Sequence, residues 1–246
     1  MRALVVSDIH GNLHALEAVL AAAGPVDQIW NLGDAVGYGA NPNEVIDLLR
    51  ERAAVNVRGN HDRVCAGLTS SQGFNPVAAE AAAWTQAALR PENLTWLKAV
   101  PKGPVRAEGN ATCVHGSPLD EDHYILSMRD AWTPLQRMGT PVTFFGHTHV
   151  QGAFLQQGAD WEELHPEFGA GEAYEVRLAE GMRVLINPGS VGQPRDRDAR
   201  AAFAIFDSEE QTLEFRRVPY DVRGAQAAIR AAGLPERLAQ RLEAGR

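Results

Sequence analysis

Residues 5–12 read Val-Val-Ser-Asp-Ile-His-Gly-Asn. An apolar run that reads as a buried strand stops here, and an Asp and a His follow one residue apart. Successive side chains of a strand point to opposite faces, so Asp8 and His10 are expected on the same side. Such a pair is either hydrogen-bonded at a strand end or ligates one metal ion. The residues elsewhere in the chain must separate these two readings.

The same arrangement recurs. Asn31-Leu32-Gly33-Asp34 closes a second apolar run, and Val57-Arg58-Gly59-Asn60-His61-Asp62 follows a third. Val114-His115-Gly116 and Phe145-Gly146-His147-Thr148-His149 close two more. In each, a Gly that permits a tight turn stands beside an Asp, Asn or His. Ligands of open α/β sheets gather at the carboxyl ends of strands. Five strand ends would therefore deliver polar groups to one rim. Of the eight histidines, His10, His61, His115, His147 and His149 lie at these ends. His14, His123 and His165 fall in helix or loop contexts and read as ordinary residues.

The flanking sequence supplies the framework. Strand signals at 3–7, 28–32 and 54–57 alternate with helical signals at 13–23 and 42–52, where Asn12 and Asn41 precede the helices. This βαβαβ order predicts parallel pairing with right-handed crossovers. Residues 76–89 and 93–99 read as helices. Residues 104–107 and 111–114 read as a hairpin around Glu108-Gly109-Asn110. From 142 onward β signals dominate, at 142–145, 151–156, 174–178, 183–186, 202–206 and 213–218. Helices at 222–232 and 235–244 follow. Residues 157–171 read as a long surface loop, and 64–76 and 117–128 as walls near the rim. With neither an internal repeat nor a linker, the expectation is one domain, 1–246.

Composition narrows the function. A chain of 246 residues, 45% hydrophobic and 22% charged, is long enough to bury a sizeable core. No apolar run approaches the ~20 residues of a membrane span. The first residues lack a signal-peptide pattern, so a cytoplasmic protein is expected. Cys65 and Cys113 lack metal-type spacing and read as buried free thiols. A net charge of -8 without a basic block argues against binding duplex nucleic acid. Bound cations would still let such a chain hold an anionic substrate.

Taken in order, DIHGN (8–12), GDAVGYG (33–39), RGNHD (58–62), HG (115–116) and GHTH (146–149) resemble the five motifs of the calcineurin-like metallophosphoesterase superfamily. NPGSVGQPRD (187–196) resembles a later segment of its small prokaryotic phosphodiesterase branch. The resemblance covers most of the chain. It implies an α/β (α+β) fold, a four-layer αββα sandwich of two mixed β-sheets flanked by helices. It implies Asp8, His10 and His149 as ligands of one metal ion, Asn60, His115 and His147 as ligands of a second, and Asp34 as the bridge. His61 resembles the family's general acid. Asn60 and Arg195 are candidate substrate-binding residues.

The implied chemistry is sound on first principles. Two cations ~3.5–4 Å apart can clamp a phosphoryl group and share a bridging hydroxide nucleophile. Imidazole and oxygen ligands without thiolate suit two divalent transition-metal ions: Mn is favoured, with Fe, Zn, Co or Ni as alternatives, and several imidazoles argue against Mg alone. One departure matters. Protein phosphatases of this superfamily extend the second motif as GDxxDRG, whereas here Gly37 and Tyr38 replace that Asp and Arg. In those enzymes the Asp partners the acid histidine and the Arg grips the phosphate. The expected activity is therefore a phosphodiesterase on a small phosphoester, nucleotides included. A phosphomonoesterase, a dinucleoside-polyphosphate hydrolase and a catalytically silent scaffold are the alternatives. The retromer subunit that resembles this family is such a scaffold, but it has lost the acid histidine that is present here as His61.

Overall fold

The computed structural model describes residues 1–168 and 173–246. In chain order its elements begin β1 (Arg2–Val6), α1 (Leu13–Ala22), β2 (Gln28–Asn31), α2 (Pro42–Arg52), β3 (Val55–Asn56) and α3 (Asn60–Cys65). Then come α4 (Pro76–Ala88), α5 (Pro91–Ala99), β4 (Val105–Ala107), β5 (Ala111–Cys113), α6 (Met128–Arg137) and β6 (Val142–Phe144). The chain continues with β7 (Gly152–Gln157), β8 (Asp160–Leu164), β9 (Ala173–Arg177), β10 (Arg183–Asn187), β11 (Ala201–Asp207) and β12 (Thr212–Val218). Helices α7 (Val222–Ala231) and α8 (Glu236–Ala244) follow.

Two strands show how the core is divided. On β1, Leu4 and Val6 face helices while Ala3 and Val5 face a second sheet. On β11, Phe203 and Ile205 pack with the helices while Ala204 and Phe206 pack between the sheets. Both strands are apolar on both faces because both faces are covered. One sheet runs β3-β2-β1-β11-β12-β9 and the other β4-β5-β6-β10-β7-β8. Each mixes parallel and antiparallel pairs. Helix α1 covers the outer face of the first sheet and α6 that of the second. This is the expected αββα arrangement. Cys65 and Cys113 are buried free thiols, as expected.

Register places the strand ends that matter side by side. Val6 pairs with Asn31 across the parallel β1–β2 ladder, and Cys113 pairs with Phe144 across β5–β6. The chain therefore leaves all four strands at one edge of the sandwich. Asn12 caps α1 as the sequence predicts, its side chain accepting from the Ala15 N–H; Asn41 precedes α2 without a side-chain cap bond, and Asn75 caps α4 by accepting from the Ala78 N–H. The described residues contain no helix long and apolar enough to cross a membrane.

Three segments differ from expectation. Residues 157–171 do not form a continuous loop: Asp160–Leu164 is β8, paired with β7 in the register Gln156–Trp161. Its acidic residues hid it, and an edge strand tolerates them because one side is unpaired. Trp161 secures it by stacking on Trp132 at 3.9 Å. Residues 169–171 of that stretch lie outside the described residues. The turn expected at Asn60-His61-Asp62 is the start of α3, where the Asp62 carboxylate accepts from the Gly59 N–H at 3.0 Å. Helix α6 was hidden by its internal Pro134.

Between the sheets Trp30, Phe144 and Phe206 form a ring cluster with centroids 5.5–6.1 Å apart. Phe206→Ala is expected to destabilise the fold by about 3–5 kcal/mol, read from urea denaturation. A loss below ~1 kcal/mol would mean the inter-sheet layer tolerates the cavity and does not depend on this cluster.

Candidate metal centre

The site begins where strand geometry ends. Asp8 and His10 lie beyond β1 and adopt left-handed φ values of 52° and 51°. Their side chains meet through this turn, so the alternation expected of a strand is not what brings them together. Asp34 (52°), His147 (68°) and His149 (59°) are left-handed too. Non-glycine residues rarely adopt φ > 0, and such strain persists only where the surroundings over-determine it. Here they do. The Asp8 N–H donates to the Gly33 carbonyl at 3.0 Å and the His10 N–H to the Asp34 carbonyl at 2.9 Å. The 187–193 segment braces the same turns. Gly192 N–H and Ser190 Oγ donate to the Asp8 carbonyl, and Asn187 Nδ2 donates to the Gly146 carbonyl and to Thr148 Oγ1.

Asp34 is fully enclosed as well. A Cβ at Gly59 would fall 2.0 Å from its Oδ1, so only glycine lets the third loop close over the carboxylate. The His61 N–H then donates to Oδ1 at 2.8 Å. Asp62 ties the second and third loops together by accepting from the Val36 and Gly59 N–H groups.

The expected residues converge into two groups that share Asp34. Asp8, His10, Asp34 and His149 form one; Asp34, His115 and His147 form the other, with Asn60 Oδ1 3.1 Å from His115 Nε2. The imidazoles are fixed by backbone carbonyls, which can only accept. His10 Nδ1 faces Val36 O at 3.1 Å, His115 Nδ1 faces Leu32 O at 3.1 Å, and His149 Nδ1 faces Gln193 O at 2.6 Å. His147 Nε2 faces Asp122 O at 3.2 Å. Each of these nitrogens therefore carries a hydrogen, and the inner nitrogen of each neutral ring is left as a lone pair. His10 Nε2 then points at His149 Nε2 across 3.1 Å, and His115 Nε2 at His147 Nδ1 across 3.1 Å. The facing lone pairs of His10 and His149 repel unless a positive charge lies between them, and at His115, where Asp34 favours the protonated ring, a proton occupies the place a divalent cation would take. The donor set thus fits a divalent cation in each group, with His10 and His149 serving one and His115 and His147 the other.

The electrostatics agree. Burial drives His10 and His149 well below the usual imidazole range and His147 down to about 3, so these rings are neutral and ready to ligate. Burial opposes ionisation of Asp34, but His115 above all outweighs it and holds the carboxyl well below its usual range. Burial raises Asp8 to about 7. Burial also works against a proton on His115, yet Asp34 overrides it and raises that ring to about 9. The field that pulls a proton there is the field a divalent cation would satisfy.

His61 belongs to neither group but lies beside the first, its ring 4.9 Å from that of His10 and packed against Gly37 of the second loop. Its Nδ1 is buried without a partner, and a Cβ at Gly37 would lie 2.7 Å from it. Gly37 has φ +90°, which favours glycine, so the motif's usual Asp has no room there. Packing orients the ring instead. Tyr38 and Phe74 lie 4.4 and 4.5 Å away, centroid to centroid. Tyr124, from the expected wall at 117–128, stacks on His147 at 3.8 Å. The roles of Phe74 and Tyr38 were not legible in the sequence; Tyr38 stood out only as a motif departure. Arg58 turns to Glu121 at 3.5 Å, away from the centre. Arg195 lines a cleft of about 830 Å³ together with Asn60 and His61.

Residues 1–211 match the calcineurin-like phosphoesterase superfamily domain. An uncharacterized protein of Methanocaldococcus jannaschii is 37% identical over 249 residues, covering 98% of this chain and 97% of the relative. The crystal structure of a metallophosphoesterase from Sphaerobacter thermophilus is 43% identical, with a TM-score of 0.86 over 100% of this chain and 99% of that one. A hypothetical protein from Pyrococcus horikoshii, 22% identical, shares the fold at a TM-score of 0.78 over 100% of this chain and 98% of that one. With the motifs, the two cation-ready groups and these relatives together, the chain belongs to the calcineurin-like phosphoesterase superfamily, whose members hydrolyse phosphoesters with bound metal.

Proposed function

We propose that the protein is a dinuclear phosphodiesterase, and that Mn²⁺ serves both positions. The observation that supports it is the pair of residue groups sharing one carboxylate, next to a cleft lined by Asn60 and His61. When bound, the two cations supply Lewis-acid polarisation of the phosphoryl oxygens and lower the pKa of a water. Asp8, His10 and His149 would hold one cation and Asn60, His115 and His147 the other, with Asp34 between them. Hydrolysis breaks the bond from phosphorus to the leaving oxygen; water's oxygen joins phosphorus, and a proton must reach the departing oxygen.

His61 is the residue placed to supply that proton. Its Nδ1 is enclosed, so Nε2 is the nitrogen presented to the cleft. Burial lowers its pKa to about 4, so the ring is neutral at neutral pH until an anion lies beside it. A phosphate there favours the protonated ring, and the acid forms together with the substrate. Asn60 orients the phosphoryl group from the same side. The cleft beyond His61 accommodates a substituent on the leaving oxygen, and a diester has a second substituent to place.

Metal content provides the first test. Elemental analysis after Mn²⁺ reconstitution is expected to find two ions per chain, with both reduced in Asp34→Ala and in Gly59→Ala, whose new methyl displaces the Asp34 carboxylate. Unchanged content in both variants would mean that Asp34 is not shared. The second test concerns His61. His61→Ala should keep its metal and lose far more rate on an alkyl ester than on a nitrophenyl ester, whose leaving group departs unaided. Equal losses on both would assign His61 a structural role. The third concerns substrate class. Under saturating Mn²⁺, kcat/KM should be higher for bis-nitrophenyl phosphate than for nitrophenyl phosphate. A monoester preference of about tenfold, ~1.4 kcal/mol of transition-state stabilisation, would overturn the diesterase reading.

A further inference from the structure

Helix α8 brings charge to the cleft that no motif supplies. Its apolar residues Leu238, Ala239 and Leu242 pack against α7 and Tyr38. Arg237 and Arg241, four residues apart on a neighbouring stripe, line the cleft with Arg195. Arg241 reaches over the Tyr38 ring, its guanidinium carbon 5.9 Å from the centroid, and its Nε donates to the Arg246 carbonyl. The Arg197 N–H donates to the Gly245 carbonyl at 2.9 Å, which fastens the end of α8 to the loop that carries Arg195.

In an acidic chain, arginines near carboxylates usually pair. Arg63, Arg90, Arg217 and Arg230 do so here. Among the described residues, Arg195 and Arg237 pair with no Asp or Glu, and Arg241 meets only the main-chain oxygen of Arg246, although 31 acidic residues face 23 basic ones. The Nε of Arg195 is buried with no hydrogen-bond partner, while the rest of its guanidinium meets only neutral groups, the Gln193 side chain at 3.0 Å from Nη2 and the Tyr38 hydroxyl. Three guanidiniums on one concave surface, none paired with an Asp or Glu side chain and one with an unused buried donor, fit an anion that arrives from outside.

We infer that Arg237 and Arg241, with Arg195, form a second anion subsite, which receives a phosphate carried by the leaving portion of the substrate. The inference rests on the phosphoester-cleaving reading of the metal centre. It deepens that reading by naming the substrate class: phosphodiesters whose leaving group bears a further phosphate. The direction follows from His61. That side chain lines the same cleft as the arginines, so whatever is attached to the oxygen it serves extends toward α8.

Non-hydrolysable probes test this without relying on turnover. Linear alkane bisphosphonates, from propane to octane, are compared with alkylphosphonates of equal length by calorimetry on the Mn²⁺-loaded protein. At least one bisphosphonate is expected to bind about tenfold tighter than its monophosphonate, ~1.4 kcal/mol. That ratio should fall to near one in Arg237→Ala/Arg241→Ala, and also in Arg237→Glu, where the exposed position protects the fold. Equal affinities in the wild type, or an advantage that survives both variants, would overturn the subsite. The two readings separate cleanly. A wild type that binds no alkylphosphonate counts against the phosphoester-cleaving centre, whereas a bisphosphonate still held in an arginine-dependent way supports the subsite.

Discussion

The buried carboxylate of Asp34 is the group around which the rest of the site is arranged. It is common to both ligand groups, so both sheets must deliver their loops to within reach of it. The first sheet contributes Asp8 and His10 beyond β1 and Asp34 itself beyond β2. The second contributes His115 beyond β5 and His147 beyond β6. A single sheet presents its strand ends along a line; two stacked sheets present them around a hollow. The αββα sandwich is therefore more than a container. It is the arrangement that lets five loops converge on one carboxylate, and the strained turns at Asp8, His10 and Asp34 are held in place by hydrogen bonds between those loops.

An acidic protein faces an obvious difficulty in binding phosphate, and the centre answers it locally. Asp8 and Asp34 are the two carboxylates in these groups, while burial holds His10, His147 and His149 neutral. Two divalent cations would outweigh two carboxylates and leave this centre positive. The overall charge of -8 is thus no guide to the charge at the site. The carbonyl partners of His10, His115, His147 and His149 matter as much as the ligands, because they decide which nitrogen carries the hydrogen.

Legibility in the sequence followed how local the determinant is. Asp8, His10, Asp34, Asn60, His61, His115, His147 and His149 could be named because each sits in a short string whose glycine and polar residue are constrained together. Register and burial then brought all of them to one edge of the sandwich. The strands with covered faces were legible from their apolar runs; acidic β8 and proline-bearing α6 were not. What escaped the sequence lies far from the motifs along the chain. Phe74 reaches His61 only because α4 begins beside the second loop, and Arg237 and Arg241 reach the cleft only because α8 packs on Tyr38. A helical stripe of arginines is ordinary in a sequence, and only tertiary packing reveals what it faces.

Tyr38 connects the two ends of the cleft. It stands where the phosphatase branch has its phosphate-gripping Arg, and its ring touches both His61 at 4.4 Å and the Arg241 guanidinium at 5.9 Å. An Arg at this position would bring its charge toward the scissile phosphate and next to His61, disfavouring the protonated imidazole that the proposed reaction needs. With Tyr38 in its place, an aromatic wall orients His61 by packing, while the nearest free guanidiniums are carried by other parts of the chain. Positive charge is moved from the reacting phosphoryl group toward the far side of the cleft. On the diesterase reading proposed above, that redistribution would disfavour a compact monoester dianion and suit a longer substrate whose second anionic group lies beyond the leaving oxygen. The departure of GDAVGYG from the phosphatase pattern and the arginines that α8 brings to the cleft thus have a common physical meaning, although they lie some two hundred residues apart in the chain.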